Sequence, residues 1–135
     1  MIDTDILIDV ALDRDPFAEN AAALLDRLEQ DPGRGFVAWH SISNFYYMVA
    51  PVHGKMNTRK LVLELTAFIE VAPTTTAHVR HAAELPLKDF EDAMQVAAAL
   101  ACDAQMIATR NTKDYRRSPV RAVSPEQALK AIDVA

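Results

Sequence analysis

The chain has 135 residues, half of them apolar, with 14 Lys and Arg against 19 Asp and Glu for a formal charge of −5. That size suits a single domain spanning 1–135 with one core, and the acidic balance excludes nucleic-acid binding through a broad cationic surface, so any such contact must be local. The lone cysteine, Cys102, can neither close an internal disulfide nor complete a cysteine metal cluster, and it reads as a small buried core residue of a cytoplasmic protein. No basic leader followed by an apolar run opens the chain and no stretch of about 18 apolar residues occurs, so a soluble protein with no membrane partner is expected.

In chain order, Met1 and Ile2 form a very short apolar strand that ends at Asp3 and gives way to a helical turn. Asp15 and Pro16 mark a helix start, with Asp15 as cap, Pro16 in the first helical position and Glu19 in the first turn. Ala21, Leu24, Leu25 and Leu28 follow at helical spacing, and Asp31-Pro32-Gly33 ends the run. Phe36 to Trp39 is a short buried strand. Ser41 is expected to cap a third helix carrying Ile42, Phe45, Tyr46 and Val49, closed by Pro51 and Gly54. A fourth helix from Asn57 turns Leu61, Leu65 and Phe68 inward, before a brief strand at Ile69-Glu70-Val71. Thr74 to Thr76 supply the next cap, for a helix over His78 to Glu84 that Pro86 breaks. A sixth helix runs from Asp89 to about Cys102, and Met106 to Ala108 is a further strand. Its exit loop is Thr109 to Asp114, a last strand falls around Arg121 to Val123, and Ser124 with Gln127 forms a capping box for a terminal helix.

Strands thus alternate with helices, and the strands are continuous apolar runs. This pattern predicts an α/β fold of three layers, α/β/α, around a short-stranded and mainly parallel central sheet. Ligands in such sheets bind beyond the carboxyl ends of the strands, so polar residues just after a strand carry most weight.

Three separate segments deliver acids to that edge: Asp3 and Asp5 after the first strand, Asp89 and Asp92 at the start of the sixth helix, and Asn111 and Asp114 after the fourth strand. Gathered carboxylates repel unless a cation neutralises them, and hard oxygen ligands suit magnesium or manganese. Each also has a local reading. Asp89 is placed as a helix cap, Asp92 in a first turn favoured by the helix dipole, Asp5 as a cap of the turn after strand one, and Asp114 as a turn residue. Asp3, with no Lys or Arg beside it in sequence, has the weakest structural excuse. Basic residues gather at His53 to Lys60 and again at Arg110, Lys113, Arg116, Arg117 and Arg121, where solvated loop charge is the plain alternative. His78 and His81 lack a third ligand, and Phe45, Tyr46 and Tyr47 are spaced as core residues as well as base-stacking ones.

The segments Ile-Asp-Thr-Asp-Ile-Leu-Ile-Asp at 2 to 9, Lys-Asp-Phe-Glu-Asp-Ala-Met-Gln at 88 to 95 and Ile-Ala-Thr-Arg-Asn-Thr-Lys-Asp-Tyr at 107 to 115 resemble, in order and spacing, the acidic motifs of PIN-domain ribonucleases. That family includes VapC-type toxins paired with antitoxins. The resemblance implies a metal-dependent ribonuclease acting on RNA, a homodimer, an antitoxin protein as partner, and a Mg2+ or Mn2+ cofactor held by Asp3 and Asp92, with Asp114 or Asn111 completing the site. Asp5 stands where the family has asparagine, Thr109 holds the fourth-motif loop or the attacking water, and Arg110, Lys113 and Arg116 are the RNA-binding candidates. In the mechanism it implies, one or two ions activate a water for in-line attack on a phosphodiester.

The second motif departs from the family, because Asn44 occupies the helix position where a glutamate is common. A catalytically weak or inactive domain that binds RNA or a protein is therefore the alternative. A third reading takes Asp3-Thr4-Asp5 as the Asp-x-Asp of haloacid-dehalogenase-type phosphatases, but Leu7 and the lack of a downstream lysine with paired aspartates stand against it.

Overall fold

The computed structural model describes residues 1–134. Four short strands are β1 (Gly35–Val37), β2 (Ile69–Val71), β3 (Ile107–Ala108) and β4 (Ala122–Val123). The helices are α1 (Thr4–Ala11), α2 (Ala18–Gln30), α3 (Trp39–His53), α4 (Lys55–Thr66), α5 (Thr76–Glu84), α6 (Phe90–Ala101) and α7 (Pro125–Val134), with a 3-10 turn over Thr112–Tyr115. β1 pairs in parallel with β2, and β3 with β4. Ile2 joins the two pairs through parallel bridges to Val37 and Ala108, so the sheet runs β2, β1, Ile2, β3, β4.

Period-two alternation along these strands sorts side chains onto two faces. Ile2, Val37, Ile69, Ala108 and Val123 enter a cluster with Ile6, Leu7, Leu24, Leu28, Phe45 and Val49, placing α1, α2, α3, α4 and α7 on one side. Their neighbours Met1, Ala38, Ala72, Ile107 and Ala122 face a second cluster around Val96, Ala98 and Ala99 of α6, against which α5 packs. Val96, Ala98 and Ala99 present the small-residue face of α6 to that cluster. The result is the three-layer α/β/α arrangement, with the carboxyl ends of the strands gathered along one edge. Among the described residues no helix is long and apolar enough to cross a membrane.

Local signals hold at most boundaries. Asp89 caps α6 by accepting the Asp92 N–H at 3.0 Å. Thr75 caps α5 in a box with His78, whose Nδ1 accepts the Thr75 N–H at 2.9 Å. Ser124 and Gln127 exchange hydrogen bonds at the head of α7.

Several expectations fail for identifiable reasons. α2 begins at Ala18 and not at Pro16, since the Arg14 carbonyl already receives the Phe17 and Ala18 N–H groups and Asp15 caps nothing. The second strand stops at Val37, because Ala38 is the N-cap of α3 and Trp39 is its first, largely exposed residue. Ser41 does not cap that helix. It is wholly buried in the first turn, where its Oγ accepts from Thr4 Oγ1 at 2.7 Å and from Gln95 Nε2 at 2.5 Å.

α3 also runs through Pro51. Tyr47 and Pro51 both lie on the solvent face, where the carbonyl that loses its donor is open to solvent. Gly54, at φ 87°, closes α3 and α4 starts immediately after it, two residues earlier than expected. Phe68 falls just past α4, and Cys102 at the end of α6 is half-buried instead of core.

Candidate metal centre

Three segments meet at the carboxyl edge of the sheet. The backbone at Asp3 is still tied into it, its N–H donating to the Ala108 carbonyl at 2.9 Å, and this fixes the side chain at the head of α1. Asp3, not Asp5, is the N-cap of α1: its Oδ1 accepts the Thr4 N–H at 2.8 Å. Its Oδ2 accepts from Thr109 Oγ1 at 2.8 Å and from the Tyr115 hydroxyl at 3.0 Å. The residue is buried, and burial pushes its carboxyl above the ordinary range although both hydroxyls and the Thr4 N–H pull the other way.

Asp5 sits in the first turn of α1. Its Oδ2 accepts from Thr109 Oγ1 at 3.2 Å, from the Arg110 N–H at 3.3 Å and from Asn111 Nδ2 at 3.0 Å, while its Oδ1 is buried without a partner among the described residues. Burial, then the neighbouring Asp3 charge, push it up to about 7. Asp92, in the first turn of α6, accepts from the Tyr115 hydroxyl at 3.2 Å. It is pushed up to about 6 by burial, then by Asp3 and Asp89.

Counting protons shows what this cluster lacks. Tyr115 has one hydroxyl proton and two carboxylates to serve, Asp3 and Asp92. Thr109, itself fully buried, has one and faces Asp3 and Asp5. No Lys or Arg stands within ion-pair distance of these acids among the described residues; the ion pairs go to Asp9, Asp31 and Asp133 instead. Buried carboxylates with too few protons and no counter-ion are costly unless they bind protons or a cation.

The remaining sequence candidates divide. Asp114 lies on the exposed 3-10 turn and borders the same cleft of about 540 Å³ as Asp3, Asp5, Asp89, Asp92, Asn111 and Asn44. Thr109 Oγ1 accepts the Asn111 N–H at 3.1 Å in the loop that leaves β3. Arg110 is occupied elsewhere: its guanidinium grips Asp9 at 2.8 and 3.4 Å and covers the Phe17 ring at 4.4 Å. Lys113 and Arg116 line an adjoining cleft of about 350 Å³ with Lys88 and Arg117, one wall of which is Asp89, Asp92 and Asp114.

Sequence reasoning missed Tyr115, whose phenol stands between two of the predicted ligands, and Glu91, which accepts from Asn44 Nδ2 at 2.9 Å in the main cleft. Tyr115 directly follows Asp114, on the opposite side of a tight turn, and only that adjacency hinted at it. Of the aromatic trio, Phe45 is core while Tyr47 is exposed and borders the cleft.

The donor set fits a hard divalent ion in three respects: every donor is oxygen, the charge is in excess, and one buried carboxylate oxygen is orphaned. Among the described residues no three acid, His or Cys side chains yet close on a common point, the phenol of Tyr115 standing between Asp3 and Asp92. No curated protein matches the chain. The family model described as PIN domain matches residues 1–113, most of the length and all three acidic segments as far as Lys113. The chain therefore belongs to the PIN-domain family, whose members are generally nucleases.

Proposed function

From membership of the PIN-domain family we propose that this chain is a metal-dependent ribonuclease, with the proton-poor, counter-ion-free cluster of Asp3, Asp5 and Asp92 as the observation that carries the reading. Asp3 and Asp92 would hold Mg2+ or Mn2+, with Asp114 or the carbonyl oxygen of Asn111 as further ligands. When bound, a hard divalent ion supplies positive charge at the scissile phosphate and acidifies a nucleophilic water. Thr109 keeps Asp3 and Asp5 oriented, and Tyr115 links Asp3 to Asp92 across two elements.

Lys113, Arg116, Arg117 and Lys88 border the acidic site on one side, where an RNA backbone would lie as it passes the metal. Tyr47, exposed at the mouth of the main cleft, offers a face for an unpaired base. This local basic rim reconciles RNA as substrate with a net charge of −5.

In this reading the protein is cytoplasmic, forms a homodimer, and is the toxin of a pair with an antitoxin. Val52, Met56 and Leu63 on α3 and α4 are 68%, 76% and 70% exposed, an apolar surface that a second copy would cover. A small upstream reading frame for a DNA-binding antitoxin would support the pairing.

The test is cleavage of mixed labelled RNAs by purified protein in magnesium or manganese against EDTA, alongside Asp3→Asn and Asp92→Asn. Metal-dependent cutting that falls by on the order of 10²–10³ in both variants is expected. Equal traces in every sample would leave a binding domain without catalysis as the better account.

A further inference from the structure

Asn44 and Glu91 come from different helices, α3 and α6, and meet by one hydrogen bond of 2.9 Å in which the amide donates and the carboxylate accepts. Both border the cleft that holds Asp3, Asp5, Asp92 and Asp114. Glu91 precedes Asp92 in the first turn of α6, and the helix dipole alone would favour an acid there; that preference needs no partner from α3. Nor is Glu91 paired with a cation among the described residues.

An amide that restrains a free carboxylate beside other uncompensated acids makes their repulsion harder to relieve by rotation. Such repulsion is relieved when the acids bind protons or a cation. We propose that Glu91 is an additional acidic ligand of the cleft's divalent ion and that Asn44 is the positioning residue that aims it. This assignment rests on the metal-centre reading above. It also gives Asn44 a role without asking a neutral amide to replace a charged ligand. The acid of this corner of the site comes from α6 and its holder from α3.

The experiment titrates manganese into the metal-free full chain and follows the free ion by electron paramagnetic resonance. It compares wild type, Glu91→Gln, Asn44→Ala and the double variant, with thermal unfolding in EDTA as the check on folding. Glu91 is exposed and Asn44 half-exposed, so all four should unfold alike. Glu91→Gln is expected to weaken manganese binding about tenfold or more, and Asn44→Ala about threefold. The double variant is expected to match Glu91→Gln, since Asn44 acts only through Glu91.

Wild-type affinity in Glu91→Gln, with binding lost in Asp92→Asn, overturns the role of Glu91. An Asn44→Ala loss that persists undiminished in the Glu91→Gln background overturns the positioning role. Affinity unaltered in both Asp3→Asn and Asp92→Asn, or no binding in wild type, removes the metal centre itself and this proposal with it.

Discussion

α1 carries two kinds of carboxylate, buried or half-buried and one or two turns apart, and they are treated in opposite ways. Asp9, 1% exposed, receives the Arg110 guanidinium at 2.8 Å and Arg14 at 3.8 Å, so its counter-ions come from within the chain. Asp3 and Asp5, at the other end of the same helix, receive only hydroxyls, amides and backbone N–H groups. Asp9 is neutralised on folding, whereas Asp3 and Asp5 are oriented by neutral donors and left in want of charge. Arg110 marks the division, since its backbone N–H faces Asp5 while its charge is spent on Asp9.

The largest expected effect breaks the satisfied half. Asp9→Ala leaves Arg110 and Arg14, each about one-third exposed, without their partner and should cost ~2–3 kcal/mol, read from urea unfolding. Asp5→Asn under the same metal-free conditions at about pH 8 should cost no more than ~1 kcal/mol. Equal losses would erase the distinction between the two ends of α1.

A second test sharpens the unsatisfied half. Asp5 and Asp92 have folded pKa values of about 7 and about 6 against an ordinary 3.8, so the folded chain binds the extra protons between those limits. Their contribution to stability is then complete below the unfolded value and disappears as pH rises through about 6 and about 7. The melting temperature in EDTA should accordingly fall from about pH 5 to about pH 8, and magnesium should raise it more at the higher pH. A melting temperature indifferent to magnesium at both values would mean that the cluster wants no cation.

The smallest effect concerns the basic residues after β3. RNA affinity measured by fluorescence anisotropy in EDTA should lose about 0.7 from its salt slope for each of Lys113→Ala and Arg116→Ala. Arg110→Ala should leave that slope alone, because its guanidinium is already committed to Asp9. A slope that drops for Arg110→Ala would place it on the RNA after all.

What the sequence determined by itself was local. The caps at Asp89, Thr75 and Ser124, the strand over Ile69–Val71 and the alternation of strand with helix each depend on neighbours a few residues away. The acids of the candidate site were legible for the same reason, as polar residues placed just after strands or in a first helical turn. Only the tertiary structure decided what those residues touch. It buried Ser41 against Gln95, 54 positions on; it paired Arg110 with Asp9 across 101 positions and Asn44 with Glu91 across 47; and it brought the Tyr115 hydroxyl to Asp3 across 112. Capping and periodicity are energies of adjacent backbone groups, whereas the partner of a charge is whatever the packed sheet and helices bring within about 3 Å of it.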